Sequence, residues 1–162
     1  MSVYEYLGLT SQIGVTLLGA VAIFLALVRK DTRFAESDRH FVQAMIQSCI
    51  MTTTMSLMPI TLALLLDEKS VWTYSLRGAL IFGGFIVFVQ ARSQITMSAS
   101  EAQRIHIAWH IVAWGIGMVA ITILMYGFFN PHVAPALYAT AVSLIVVLGL
   151  FVFSGLIFRR FF

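Results

Sequence analysis

The chain has 162 residues, of which 60% are hydrophobic and only 10% charged. Soluble domains carry about 25% charged residues, so the composition excludes an ordinary soluble domain and points to several membrane spans. The net charge of +3 does not make a nucleic-acid binder, because the basic residues flank apolar blocks instead of forming a patch with interleaved aromatics.

No stretch between the apolar blocks is long enough for a second domain, so the expectation is one all-α polytopic membrane domain over residues 1–162. Cys49 is the only cysteine, which excludes an intrachain disulfide and a four-cysteine zinc site within one chain. The N-terminus lacks a basic n-region and a small-residue cleavage site, so the first apolar block is expected to stay as a span.

Five blocks follow in chain order: Gly8–Val28, Phe41–Leu66, Val71–Val89, Ile105–Phe129 and Val133–Phe158. At a helical rise of ~1.5 Å per residue each reaches ~28 Å or more, enough to cross a hydrocarbon core with its flanks. In the first block, Gln12, Thr16, Gly19 and Ala26 form one stripe, which predicts close helix packing there. The polar connection after it is expected to extend the second helix, with Glu36 and His40 four apart and able to pair.

The second block runs 26 residues without a formal charge, yet it is the most polar of the five. Gln43, Gln47 and Thr54 share one helix face, while Ser48, Thr52 and Ser56 share another at four-residue spacing. Polar side chains in hydrocarbon cost free energy unless paired, so these faces should meet protein or water rather than lipid. They predict either a hydrated path entered from the cytoplasm or interhelical hydrogen bonds. Pro59 frees the carbonyl of Met55 and predicts a kink. Met51, Met55 and Met58 form a stripe that reads as adaptable packing, with passage of Cu(I) as the sharper alternative.

The third block contains Arg77, expected to snorkel outward as an outer charge or to pair with Asp67, Glu68 or Glu5. The connection at 90–104 is read as solvated, and Ser98 with Glu101 matches a capping box at the start of the next helix. In the fourth block His106, His110, Ala113, Gly117 and Ala120 lie on one narrow stripe. Histidines four apart can share a metal, and one can bind a haem axially, with His40 as a third ligand at the same membrane face. The plainer reading puts His106 at headgroup level and has His110 bond a neighbouring helix, so no cofactor is required.

Basic residues set the expected orientation. Arg29, Lys30, Arg33, Arg39, Arg92, Arg104, Arg159 and Arg160 fall on one side, leaving only Lys69 and Arg77 on the other. This predicts an outside N-terminus and a cytoplasmic C-terminus in a bacterial-type inner (plasma) membrane. Tyr4, Tyr6, Trp72, Tyr74, Tyr126 and Tyr138 are expected as an outer aromatic belt.

No acidic residue lies inside a block, which counts against a carboxylate-driven transporter. No Walker loop, nucleophile elbow or HExxH motif gives an enzyme class a footing. The leading expectation is a homo-oligomeric pore or transport-type protein with a polar path formed by Gln43, Gln47, Thr54 and His110. The alternative is a non-catalytic anchor or accessory subunit with a membrane-protein partner. A third reading is a haem or metal redox module on His40, His106 and His110.

Overall fold

The structure is a computed structural model that describes the backbone of residues 1–28, 36–95 and 107–161. Side chains are described for these except residues 27, 28, 36–40, 93, 94, 107–110, 156 and 158–161. Among the described residues there are five long helices and no strands: α1 (Val3–Val28), α2 (Glu36–Leu62), α3 (Glu68–Ile95), α4 (Ile107–Phe129) and α5 (Ala134–Phe161). A 3₁₀ turn, Pro131–Val133, links the last two. All five are long and apolar enough to cross a membrane. Ile81, Phe85, Phe88 and Ile111 all face outward, which suits hydrocarbon and not water.

The helix ends differ from the limits of the apolar blocks. α1 starts five residues earlier than expected, at Val3, because a capping box closes it. The Ser2 amide donates to Glu5 Oε2 at 2.7 Å, and the Glu5 amide donates back to Ser2 Oγ at 3.2 Å. α2 stops at Leu62, and residues 63–66, though apolar, form a turn. Hydropathy alone carries the second span through to Leu66. α3 begins at Glu68 and continues to Ile95, so Gln90 is a helical residue and not part of a connection.

Asp67 caps α3, with the Ser70 amide donating to its Oδ2 at 3.1 Å. Hydrogen bonds from the Ser70 side chain, and then from its amide, hold the Asp67 carboxyl below the usual carboxylate range. A depressed folded-state pKa means that the cap contributes above the unfolded pKa and is lost as pH falls through the folded one. Exchange of the Ser70 amide, corrected for intrinsic rate, should therefore speed up on acidification through that window. Asp67→Asn should flatten the response, and an unchanged acid response in that variant would contradict the assignment.

α2 is the most buried helix, and α1 and α4 are the least. It packs on α1 and α5 and, less extensively, on α3, while α4 lies against α5 and α3. At Gly14 α1 lies tightly against α2. A Cβ there would lie 2.6 Å from Thr53 Oγ1 and 3.3 Å from the Cys49 carbonyl oxygen. The stripe expected to pack closely, Gln12, Thr16, Gly19 and Ala26, is instead on the exposed face of α1. Spacing identified a stripe of small residues, but the burial of Leu7, Thr10 and Val21 decides which face turns inward.

The core has two clusters. One lies toward the N-terminus and the two short turns, and includes Leu7, Met55, Trp72, Leu76, Leu124 and Tyr138. The other, toward the opposite end, joins Val21, Phe41, Met45, Cys49 and Val152. Tyr138 and Trp72, expected in an aromatic belt at the outer boundary, lie toward the end with the short turns, but both are buried inside the bundle. Trp72 stacks on Tyr4 at 5.6 Å and meets Tyr138 edge-on at 5.9 Å. Tyr74 and Tyr126 remain exposed.

Tyr138 has a specific task. Proline lacks an amide hydrogen, so Pro59 cannot donate to the Met55 carbonyl four residues back. The Tyr138 hydroxyl donates to that carbonyl at 2.8 Å, in a fully buried position. α2 thereby continues through Pro59 to Leu62 with its freed acceptor satisfied by α5.

Candidate functional site

The middle of α2 carries hydroxyls because it is enclosed. Ser48, Thr52 and Ser56 are all buried, while Thr54 is exposed. Ser48 returns its hydroxyl to the Ala44 carbonyl at 2.9 Å, the usual outlet for a hydroxyl on a membrane helix. Ser56 Oγ, Ser75 Oγ and Trp72 Nε1 are buried without a hydrogen-bond partner among the described residues.

A partly open cavity of about 140 Å³ lies between α2, α3, α4 and α5. It occupies the half of the bundle toward the C-terminus, away from the two short turns. Phe41, Ser48 and Met51 of α2 line one wall, and Gly83, Ile86 and Val87 of α3 line the next. Ala113, Gly117 and Ile121 of α4 and Leu148 and Phe151 of α5 complete it. Ala120, Leu124 and Ile145 form its floor and belong also to the solid cluster around Tyr138. The cavity is therefore stopped at mid-bundle by packed side chains.

On the α4 wall, smallness leaves room and does not bring helices together. A Cβ added at Gly117 would meet nothing within 4 Å. Met51 and Met58 of the methionine stripe pack against glycines of α3. Met58 Sδ would lie 2.8 Å from a Cβ at Gly78, and Met51 Cε 3.2 Å from one at Gly83. A contact made through flexible thioether ends suits methionine as gap-filler.

The polar feature of the cavity is an amide pair. Gln90 Nε2 of α3 donates a hydrogen bond to Gln47 Oε1 of α2, and both residues line the cavity. This contact extends the series Met58–Gly78 and Met51–Gly83 along the α2–α3 hairpin. No charged side chain lines the cavity among the described residues.

The expected site residues are thus divided. Gln47 lines the cavity, Gln43 is half-buried outside the lining, and Thr54 is exposed away from it. The side chains of His40 and His110, and the whole of His106, lie outside the described residues, as does the expected capping box of Ser98 and Glu101. Among the described residues no group of three metal-ligating side chains comes together. Arg77 is exposed, and its guanidinium carbon lies 5.8 Å from the centre of the Phe128 ring, a cation–π contact at the end of the bundle with the short turns.

Neither Gln90 nor Tyr138 shows its role in the sequence alone. Gln90 follows the last strongly apolar residue of its block, and only the continuation of α3 makes it a partner for Gln47. For Tyr138 the available signal was Pro59, which announces an acceptor in need of a donor. Comparison of the chain with protein-family models, curated proteins and solved structures finds no match in any of the three. Five helices of this length and apolarity are those of a small multi-pass membrane protein.

Proposed function

We propose that the protein is a small transport-type protein of the inner membrane, N-terminus outside, with the cavity beside Gln47 and Gln90 as its solute site. The observation that carries this reading is a cavity placed against the most polar helix and stopped at mid-bundle. Such an arrangement supports access from one side, which in the expected orientation is the cytoplasmic one. A transport cycle would require the plug of Leu124, Ile145 and Tyr138 to yield. The cavity is mostly carbon-lined, so a neutral solute fits it better than an ion.

Self-association is part of the proposal. The Thr16 hydroxyl on the exposed face of α1 returns to the Gln12 carbonyl at 2.8 Å, but the Gln12 side-chain amide lies at a depth where lipid would offer no hydrogen-bond partner, and a second copy would cover it. An accessory subunit whose polar faces serve only packing is the second reading, favoured by the pairing of Gln47 with Gln90 inside one chain. Reconstitution separates the two. Purified protein in liposomes should raise conductance or solute flux above that of empty liposomes. Silence across ions and small neutral solutes, with co-purification of an unrelated membrane protein, would favour the accessory role.

A further inference from the structure

We infer that the cavity selects a small neutral amphiphile, with an apolar body about the size of a benzene ring and one hydrogen-bonding head seated at Gln47 and Gln90. The inference rests on the proposed reading of this cavity as a solute site, and it adds the chemical class of the guest.

Size sets the body. An apolar cavity of roughly 150 Å³ in another protein stays dry and takes benzene, and the volume here is about 140 Å³. The walls that would hold the ring are Met51, Ile86, Gly117 and Leu148, which offer no polar group to it.

The amide pair sets the head. Each glutamine amide has one carbonyl acceptor and two N–H donors. Their mutual bond uses one donor and one acceptor. Whichever way each amide is turned, the pair retains one carbonyl oxygen and three N–H groups uncommitted among the described residues. A hydroxyl or primary amide matches that set, because it donates and accepts at once. A pocket that is apolar except for a few convergent polar groups is the usual form of a small-molecule site.

Charge is excluded by the same lining. A carboxylate or ammonium carried into the cavity would meet no counter-charge among the described lining residues, and burying an unpaired charge is costly. The guest enters neutral.

The test uses the full chain in phosphatidylcholine nanodiscs with toluene, benzyl alcohol and benzoate as probes. Binding is read by ligand-observed saturation-transfer NMR, with empty nanodiscs as the blank and affinities referred to each probe's concentration in the lipid. Benzyl alcohol should bind roughly two- to tenfold tighter than toluene, the equivalent of one net hydrogen bond, and benzoate should not bind. Gln47→Leu should bring benzyl alcohol down to the level of toluene, and Gly117→Leu should abolish both signals. Toluene binding as tightly as benzyl alcohol to the wild-type protein, or benzoate binding comparably, overturns the head-group inference and leaves the cavity as a solute site. No probe binding above the blank overturns the solute site itself. The wild-type comparison decides between these outcomes even if a variant fails to fold.

Discussion

Tyr138→Phe should destabilise the bundle by about 1–3 kcal/mol, the cost of leaving a buried carbonyl without its donor. The ring stays, so its edge contact with Trp72 and its place in the core are kept and only the hydroxyl is lost. What makes this position expensive is Pro59. In any other helix the residue four on from Met55 would donate to the Met55 carbonyl, and a tyrosine hydroxyl would be dispensable. The expectation is therefore conditional. In a Pro59→Ala background the new amide takes over the Met55 carbonyl, and Tyr138→Phe should cost well under half as much. Equilibrium unfolding of the four proteins in detergent micelles measures the coupling. An equal cost of Tyr138→Phe in both backgrounds would show that the hydroxyl does not stand in for the missing amide.

The second large effect is expected at Gly14. Side chains are deleted in most destabilising variants, but here adding one is the damage. A leucine Cβ would start 2.6 Å from Thr53 Oγ1 and 3.3 Å from a backbone oxygen of α2. Thr53 can turn aside, but the Cys49 carbonyl is part of the helix and cannot. α1 must then lift from its most extensive contact, that with α2. Gly14→Leu should cost about 3 kcal/mol, at the upper end of core overpacking. Gly8→Leu on the same helix, where a Cβ meets nothing within 4 Å, should fold as the wild-type protein does. Unfolding in micelles compares the pair, and equal stabilities would mean that α1 and α2 are not in the described contact.

These two positions also show what the sequence made legible. Five spans were readable, because long apolar runs follow directly from the thickness of a membrane. Their ends were less so, since a helix is fixed by caps and backbone hydrogen bonds and not by hydropathy. Ala63–Leu66 are apolar and turn, whereas Gln90–Ile95 are mixed and stay helical. The facing of each helix was the least legible. Gly14 and Gly19 are both glycines of one helix, but only Gly14 meets a neighbouring backbone. A small side chain permits close approach without requiring it, and at Gly117 the same smallness makes a cavity wall. Gln47 could be singled out because an amide deep in an apolar run needs a partner. That partner, Gln90, lies 43 residues away and is brought alongside only by the α2–α3 hairpin.

If the cavity is where the protein does its work, two glycines on α4 should differ sharply in what a larger side chain does to flux. A Cβ meets nothing within 4 Å at either Gly115 or Gly117, but Gly115 is exposed on the outside of α4 while Gly117 lines the cavity. The measurement is solute flux through liposomes reconstituted with wild-type protein, Gly115→Leu and Gly117→Leu. Flux that persists in Gly115→Leu and is lost in Gly117→Leu is the predicted result. Flux in Gly117→Leu equal to that of the wild-type protein would show that the cavity is not the solute path, because the leucine would fill it without consequence.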